Sequence, residues 1–292
     1  MSLAKKRLSV AALAAVVALA LALGGLGLTS VTPERAFADD TAAAATPAKT
    51  YTIKYKGVSG AKNANPTEVE KGKLKLKKPT KTGYTFQGWY QGTKKVTTLN
   101  VKKNTTVTAK WKAKTYKITY KNVKGTNKNA KKFTYGKSVK LKILSKKGYT
   151  FKGWYTDAQF TKKAKTVGGK TAKNVTVYAW WIQNPKTASQ KRAVSLAKAA
   201  YKQIDSEHYT TYQKMVDGLQ RYGVSAKDAK FAAKNCGANY YTEAIKIVKY
   251  AKNMPELVDL DTTLMKNYLK NMMKEEGFTS KEINYAFKVV KF

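Results

Sequence analysis

The segment GYTFQGWY at Gly83–Tyr90 decides the fold of the first half of the chain, because it returns as GYTFKGWY at Gly148–Tyr155 with one residue changed. A second pair of matching segments precedes it: YTIKYK at Tyr51–Lys56 corresponds to YKITYK at Tyr116–Lys121. Apolar and polar side chains alternate along the two flanking segments, and a period of two is typical of half-buried β-strands. The sequence therefore predicts two copies of one small β module in tandem.

Both copies end on a matching strand, VTAKW at Val107–Trp111 and VYAWW at Val177–Trp181. These limits define β repeat 1 as residues 51–115 and β repeat 2 as residues 116–183. The second copy holds five extra residues, within Thr156–Gly169, and we expect them to form a surface loop.

The alternation assigns the side chains of each repeat to two faces. In β repeat 1 the apolar positions predict a core formed by Tyr51, Ile53, Tyr55, Leu74, Leu76, Val107, Ala109 and Trp111. The lysines between them point the other way, and one packed face with one wet face is typical of an antiparallel sheet. Trp89 and Trp154 are predicted to be core anchors, because so small a module needs large aromatic side chains to bury enough area. A ligand platform is the alternative role for these two tryptophans.

Positive charge is concentrated in the two β repeats. The formal net charge of the chain is +40, and residues 51–184 hold 33 lysines against three carboxylates and no arginine. Arg gives bidentate recognition of phosphate, whereas Lys is a mobile point charge, so we expect diffuse, salt-sensitive binding of an anionic polymer. The alternative is that the lysines only keep the protein soluble and protect exposed strand edges. The candidate polyanion-binding residues are Lys54, Lys56, Lys73, Lys75, Lys77, Lys110, Lys117, Lys121, Lys140 and Lys142.

The patterns Y-x-I-x-Y, G-Y-T-F-x-G-W-Y and a closing A-x-W resemble the internalin B-type repeat, also known as the Listeria–Bacteroides repeat. In the first copy they are carried by Tyr51–Tyr55, Gly83–Tyr90 and Ala109–Trp111. The resemblance implies a small β-grasp-like module and a location at the cell envelope. It implies no catalysis and transfers no catalytic residue.

After Asn184-Pro185 the apolar period changes from two to 3.6, which predicts amphipathic helices. Two corners, GVSAKD at Gly223–Asp228 and GFTSKE at Gly277–Glu282, lie 54 positions apart, and each offers a helix N-cap followed by an acid. We therefore predict two three-helix modules, helical unit 1 at residues 184–238 and helical unit 2 at residues 239–292. The expected apolar stripe of the fifth helix is Leu264, Tyr268, Met272 and Met273.

This glycine corner after an amphipathic helix resembles the repeat of the host cell surface-exposed lipoprotein family, and residues 190–291 cover about two copies of it. The resemblance implies a helix-turn-helix-like arrangement, and some prophage-encoded relatives interfere with the entry of another phage's DNA. This chain departs from the family because it lacks the lipidated cysteine and has Tyr240-Tyr241 where a tryptophan is expected. We expect no sequence-specific nucleic-acid binding, because the helical units carry a modest charge and no obvious recognition helix.

The N-terminus is predicted to be a signal peptide over residues 1–38. Three basic residues at positions 5–7 precede an apolar run at Val10–Leu28, and Ala36-Phe37-Ala38 forms a small-x-small cleavage pattern. An uncleaved anchor is the alternative, since the run is long enough to cross a bilayer. Residues 39–50 are expected to be a disordered spacer. The expected location is extracellular, at the cell envelope, with no membrane span after removal of the leader.

No constellation in the sequence favours catalysis, a cofactor or a metal ion. His208 is the only histidine and is expected to be an exposed linker residue. Cys236 lies in phase with the apolar side of its helix and is expected to be a buried thiol. No glycine-rich phosphate loop follows a predicted strand. We therefore expect a protein that is not an enzyme, with no catalytic, cofactor-binding or metal-binding residues.

The predicted fold class is multidomain α+β, with two tandem β-grasp-like modules followed by two three-helix, helix-turn-helix-like modules. The predicted function is non-catalytic adherence at the bacterial envelope. The Lys-rich β repeats would contact an anionic cell-wall polymer or acidic glycan, and the helical units would engage a surface or phage protein. The alternative is a secreted factor that excludes superinfecting phage through its helical units.

Overall fold

The computed structural model describes residues 48–205, 208–254 and 261–291. The predicted signal peptide at residues 1–38 lies outside the described residues, as does most of the predicted spacer at 39–50. Within the described ranges, strands occupy the chain up to Gln183 and helices follow from Ala188. The organisation is therefore α+β, with the two kinds of element segregated along the sequence.

β repeat 1 is built around one mixed sheet. Five of its strands form the main sheet in the order β3-β1-β9-β6-β7, while β4 pairs with β8 and β2 pairs with β5. The strands are β1 (Thr50–Lys56), β2 (Ala61–Lys62), β3 (Glu68–Glu70), β4 (Gly72–Lys75), β5 (Thr80–Lys81), β6 (Tyr84–Gln91), β7 (Lys94–Val96), β8 (Thr98–Val101) and β9 (Thr105–Ala113).

The first and last strands of the repeat are parallel neighbours at the centre of the main sheet. Ile53 of β1 lies opposite Thr105 of β9, and Tyr55 lies opposite Val107. The expected antiparallel arrangement is therefore wrong for this pair, although the other neighbours in the sheet are antiparallel. Parallel neighbours need a long crossover, and here strands β2–β8 provide it.

The core of β repeat 1 lies between the main sheet and the β4–β8 ribbon. Leu76, Leu99 and Val101 come from the ribbon side and pack on Ile53 and Val107 of the main sheet. Four of the eight apolar residues predicted for this core are buried in one cluster, and the other four, Tyr51, Tyr55, Leu74 and Trp111, are partly buried and pack against it. The burial pattern predicted from the sequence is confirmed.

β repeat 2 has the same main sheet and a matching ribbon, but the described structure shows no counterpart of the β2–β5 pair. Its main sheet has the order β11-β10-β16-β13-β14, β10 and β16 are again parallel, and β12 pairs with β15. The strands are β10 (Thr115–Lys121), β11 (Lys132–Thr134), β12 (Ser138–Lys140), β13 (Tyr149–Tyr155), β14 (Lys163–Ala164), β15 (Thr166–Gly168) and β16 (Val175–Gln183).

The tryptophan of each GWY motif is a core anchor, as predicted. Trp89 is 2% exposed and Trp154 is 3% exposed, which excludes the alternative of a ligand platform. The indole N–H of Trp89 donates to the carbonyl oxygen of Lys77 at 2.9 Å, and that of Trp154 donates to the carbonyl oxygen of Lys142 at 2.8 Å. Each ring therefore fixes the segment that crosses over the core.

One residue joins the two β repeats. The backbone N–H of Lys114 donates to the carbonyl oxygen of Gly83 in β repeat 1, and the Lys114 carbonyl accepts from the N–H of Tyr135 in β repeat 2. The Tyr135 ring packs against Gly83 and lies 5.3 Å from the Tyr84 ring, centroid to centroid. A side chain at Gly83 would overlap the Tyr135 ring, so this junction requires glycine.

Six helices form the C-terminal part of the described chain. They are α1 (Ala188–Lys202), α2 (Tyr212–Arg221), α3 (Ala226–Asn235), α4 (Tyr240–Lys252), α5 (Thr262–Glu275) and α6 (Ser280–Val290). The two predicted corners cap α3 and α6: the Ser225 hydroxyl accepts from the N–H of Asp228, and Thr279 forms a complete capping box with Glu282. None of the helices in the described ranges has both the length and the apolar character needed for a membrane span.

Each helical unit has its own core, and the two units interleave. Tyr240 at the start of α4 packs on the core of unit 1, where its hydroxyl donates to the Ala233 carbonyl at 2.9 Å. Tyr209, before α2, packs on the core of unit 2. The hydroxyl of Tyr201 donates to the fully buried carboxylate of Glu243 at 2.9 Å. These contacts join the units into one helical half.

The predicted apolar stripe of α5 is wrong at two positions. Leu264 is 67% exposed and Tyr268 is 50% exposed, whereas Met265 and Leu269 are buried with Met273. The buried stripe is displaced by one residue because α5 packs its Met265–Leu269 side against Ala251 of α4. The sequence offers two adjacent apolar stripes on this helix, and packing selects one of them.

Candidate polyanion-binding surface

The open face of the main sheet of β repeat 1 is covered with lysines. Strand β1 presents Lys54 and Lys56, and strand β9 presents Lys110 and Lys112, because these residues alternate with the buried positions of their strands. Lys95 of β7 lies on the same face, opposite Tyr90. All five lysines are exposed. We call this surface, made of Lys54, Lys56, Lys95, Lys110 and Lys112 around Tyr90, the cationic face.

Glycine and aromatic residues hold two of these lysines in place. The stem of Lys95 crosses Gly88, where an added Cβ would lie 2.4 Å from the Lys95 Cε, and Gly88 has a φ of +140°. The ammonium nitrogen of Lys110 lies 4.1 Å from the centre of the Tyr90 ring, which is within the range of a cation–π interaction. The glycine of the GWY motif thus lets a lysine from the next strand lie flat across the sheet.

The ten lysines predicted to bind polyanions do not share one face. Lys54, Lys56 and Lys110 belong to the cationic face. Lys73 and Lys75 lie on the β4–β8 ribbon, whose inward side is formed by Leu74 and Leu76, and they point away from the main sheet together with Lys77. In β repeat 2, Lys117 and Lys121 lie on the main sheet, and Lys140 and Lys142 lie on or beside β12. The lysines lie on different faces because each repeat has a ribbon packed on its main sheet. Alternation within one strand does not show which of these two layers the strand joins.

Few carboxylates oppose this charge. The three ion pairs found within the described ranges all lie in the helical half, between His208 and Asp205, Lys214 and Glu276, and Lys246 and Glu243. Glu68 and Glu70 lie at the β3 edge of the main sheet, opposite Thr52 and Thr50. Because Thr50 and Thr52 lie on the same side of β1 as Lys54 and Lys56, their partners Glu70 and Glu68 project from the edge of the cationic face. Neither carboxylate forms an ion pair within residues 48–183, and the five lysines outnumber them, so the face keeps a net positive charge for a ligand.

The corresponding face of β repeat 2 is aromatic and apolar along β13 and β16, although Lys117, Lys121 and Lys163 also lie on it. Thr108, Lys110 and Lys112 of the first copy correspond to Tyr178, Trp180 and Ile182 of the second. The Trp180 ring stacks on Phe160 with centroids 5.6 Å apart and an interplanar angle of 8°. Ile182 and Tyr155 on this face are buried. On this side of the sheet, the second copy therefore has side chains that pack together where the first copy has solvent-exposed polar ones.

The helical half covers this aromatic face. The backbone N–H of Gln183 donates to the side-chain oxygen of Asn235 at 2.6 Å. The side-chain amide of Asn239 donates to the carbonyl oxygens of Gln159 and Phe160 at 3.0 and 2.7 Å. Three residues of the β repeats thus bond with the α3 C-terminus and the α4 N-cap.

The five extra residues of β repeat 2 form part of this contact. Asp157 closes the loop by accepting the backbone N–H of Thr161 and of Lys162 at 2.9 and 2.7 Å. The hydroxyl of Tyr285 on α6 donates to Asp157 at 3.2 Å and lies 3.0 Å from the Thr161 hydroxyl. The insertion was expected to be a surface loop, and in the structure this loop forms hydrogen bonds with α6 and with the N-cap of α4. Among the two main sheets, only that of β repeat 1 therefore has a continuous cationic face.

The other residues considered for chemistry occupy structural positions. Cys236 is buried, and burial raises the pKa of its thiol, which keeps it protonated and unreactive. His208 is exposed and contacts Asp205, as expected for a linker residue. Among the described residues no group of His, Cys, Asp and Glu side chains has the arrangement of a metal site.

Sequence reasoning missed Lys95 and Lys112 of the cationic face. Lys112 continues the alternation of β9 one step beyond Trp111, so the pattern contained this residue. Lys95 belongs to a short strand without clear alternation, and only the cross-strand pairing with Tyr90 places it on the face.

Residues 51–110 and 116–180 each match the family model of the Listeria-Bacteroides repeat domain. The chain is also similar to a protein of Evansella cellulosilytica provisionally named a Gly-rich membrane protein, with 28% identity over 48% of this chain and 17% of the relative. A second protein of that organism, provisionally named a membrane protein, is 26% identical over 48% of this chain and 22% of its own length. The chain thus spans about a fifth of the length of these relatives. No solved structure matches it significantly.

Proposed function

We propose that this protein is a non-catalytic component of the bacterial envelope that adheres to an anionic polymer through the cationic face of β repeat 1. One observation carries the proposal: five exposed lysines share one sheet face with only two carboxylates, Glu68 and Glu70, at its edge, and no ion pair within residues 48–183 offsets the lysines. A flat array of lysine charges attracts a polyanion without demanding one stereochemistry. Adherence of this kind weakens as salt rises.

The envelope location has two supports. The predicted signal peptide at residues 1–38 would export the chain, and both relatives carry names that place them in membranes. An anionic wall polymer or an acidic glycan is the abundant polyanion outside a bacterial cell. The proposed role is therefore contact with that polymer, without sequence-specific nucleic-acid binding.

We also propose roles for the two kinds of module. The parallel pairing of first and last strands is compatible with a β-grasp-like repeat. The capped corners at Ser225 and Thr279 support a tandem helical repeat like that of the surface-exposed lipoprotein family. Because one side of the helical half packs on β repeat 2, its remaining surface would engage a protein partner.

Sedimentation of the full chain with purified Gram-positive cell walls tests the adherence. We expect the protein to pellet at about 0.05 M salt and to be released by about 0.5 M salt. The variant Lys54→Gln/Lys56→Gln/Lys110→Gln/Lys112→Gln should bind at least about tenfold more weakly. Retention of the unmodified protein at high salt would contradict an electrostatic mechanism.

A charge-matched control variant separates the cationic face from net charge. Lys191→Gln/Lys198→Gln/Lys227→Gln/Lys230→Gln removes the same charge from exposed positions of the helical half. It should lose less than about twofold in binding, because those lysines do not share one flat array. If both quadruple variants lose binding equally, the cationic face has no special role.

A further inference from the structure

An open cleft of about 550 Å³ lies at one end of β repeat 1, and the five lysines of the cationic face are not among the residues that line it. Three aromatic side chains line it, Tyr84, Phe86 and Trp111, and all three are partly exposed. The indole N–H of Trp111 donates to the carbonyl oxygen of Gly57 at 2.8 Å, and its ring lies 5.3 Å from that of Phe86. The Trp111 ring is therefore held in position before any ligand arrives.

Lysines surround these rings. The ammonium nitrogen of Lys81 lies 4.9 Å from the centre of the Tyr84 ring and 5.9 Å from that of Trp111. Lys62 comes from the facing strand of the β2–β5 ribbon, and Lys114 comes from the one-residue linker between the repeats. The residues that line the cleft include no carboxylate. The cleft therefore combines an aromatic surface with uncompensated positive charge.

The second β repeat lacks this combination. Lys62 and Lys114 of the first copy correspond to Thr126 and Asn184 of the second. The Thr150 hydroxyl donates to the Asn184 side chain at 2.6 Å, and the ammonium nitrogen of Lys124 lies 4.6 Å from the centre of the Tyr149 ring. The second copy keeps Lys146 at the position of Lys81 and has Lys124 beside Tyr149, but it has no lysine at the positions of Lys62 and Lys114. The set of three lysines around the aromatic rings is therefore specific to β repeat 1.

The chemistry of the lining selects among anionic ligands. A sugar ring presents a flat C–H face to aromatic rings, and an acid group on that ring would meet the lysines. The hydroxyls of Thr80, Thr82 and Thr85 can bond with sugar hydroxyls. A bare phosphate chain gains nothing from the aromatic rings. Single-stranded nucleic acid also combines flat bases with negative charge, so an oligonucleotide is the comparison ligand that the test must include.

We infer that this cleft is a binding site for a carboxylated sugar unit of an acidic glycan. The inference rests on the proposed function, because it names the class of anionic polymer, but it uses residues outside the cationic face. The cleft would hold one or two sugar units and give stereochemical selectivity, whereas the cationic face supplies long-range attraction.

Titration of the full chain with trigalacturonic acid at about 0.15 M salt tests the inference. The chain has five tryptophans, so the indole N–H signals can be followed by NMR, and the variant Trp111→Phe identifies the Trp111 signal. We expect a saturable shift of the Trp111 signal and no shift of the buried Trp89 signal. The variant Lys62→Gln/Lys81→Gln should weaken binding at least about fivefold.

Matched variants and ligands define the outcome. Lys54→Gln/Lys56→Gln removes equal charge from the cationic face and should leave the trigalacturonate affinity within about twofold. Unchanged indole signals in each variant show that it folds. An unmoved Trp111 signal, or an equal effect of polyphosphate or oligothymidylate, would overturn the inference. In that case, if the protein still sediments with cell walls, the proposed adherence stands without the sugar site. If it neither binds trigalacturonate nor sediments with cell walls, both the sugar site and the proposed adherence are contradicted.

Discussion

A single buried asparagine organises the crossover of each β repeat. The side chain of Asn65 accepts the backbone N–H of Lys77 at 2.6 Å and donates to the Lys77 carbonyl at 2.9 Å. Asn129 makes the same pair of bonds with Lys142 in the second copy. The side chains of Lys77 and Lys142 are exposed, so these predicted ligand-binding residues also serve as backbone anchors.

The variant Asn65→Ala should destabilise β repeat 1 by about 2–3 kcal/mol. It removes three hydrogen bonds, two with the Lys77 backbone and one with the Asn63 side chain, and leaves the Lys77 amide without its acceptor beside a buried indole. Hydrogen exchange of the β9 amides measures this loss, because the central strand opens only when the repeat unfolds. Asn100→Ala, at an exposed position of the same repeat, should change the stability by less than about 0.5 kcal/mol. Equal effects of the two variants would contradict the anchoring role.

The burial of Trp89 could be predicted from the sequence, whereas the burial of Asn65 could not. Trp89 could be assigned to the core because a large aromatic residue in a repeated motif of a small module has few other uses. Asn65 could not, because asparagine beside glycine and lysine is typical of an exposed turn. Its burial depends on Lys77, which lies 12 positions away, and alternation contains no information on such a pair.

At the scale of one helix, α5 shows how packing chooses between two apolar stripes. Leu269 is 4% exposed and Leu264 is 67% exposed, although both are leucines of the same helix. Leu269→Ala should cost about 2–4 kcal/mol, because it opens a cavity beside Met265 and Ala251. Leu264→Ala should cost less than about 0.5 kcal/mol. Thermal unfolding followed by far-UV circular dichroism distinguishes them, and the reverse order would show that the helix is rotated.

The helical half should lose stability at alkaline pH. Burial raises the pKa of the Tyr201 and Tyr240 hydroxyls, and the nearby Glu243 carboxylate raises that of Tyr201 further. In the unfolded chain these hydroxyls titrate near pH 10. The contribution of these hydroxyls to the free energy of unfolding is therefore complete below about pH 10. It declines as the pH rises above that value, because the unfolded chain releases the protons more readily than the folded one.

The melting temperature at about pH 8 and about pH 11 measures this decline. Tyr240→Phe should reduce the difference between the two temperatures, since it removes one of the responsible hydroxyls. Tyr222→Phe changes an exposed tyrosine and should leave the difference unaltered. A drop in melting temperature that is the same in all three proteins would assign it to other groups.

Across the whole molecule, two copies of one module have opposite uses. Thr108, Lys110 and Lys112 leave the first sheet open, whereas Tyr178, Trp180 and Ile182 let the second receive the helical half. The substitutions between the two copies are visible in the sequence. The sequence alone does not predict that the helical half packs there, because an aromatic face indicates that something covers it without saying which part of the chain does so.

The variant Trp180→Lys, which copies the residue of the first repeat, should release the helical half from β repeat 2. It removes the stacking on Phe160 and places a second cation beside Lys152, whose ammonium nitrogen lies 6.0 Å from the centre of the Trp180 ring. The helices should stay folded, because their cores are formed by residues 193–290 and do not include Trp180.

Small-angle X-ray scattering and hydrogen exchange measure this release. We expect a larger radius of gyration and faster exchange at residues 157–162 and 235–241, with unchanged helical circular dichroism. Lys110→Trp, the reciprocal exchange on the open face of β repeat 1, should alter neither quantity, because the helical half already packs on the second sheet. If Trp180→Lys leaves the radius and the exchange rates unchanged, the hydrogen bonds of Asn235, Asn239 and Tyr285 suffice to hold the two halves together.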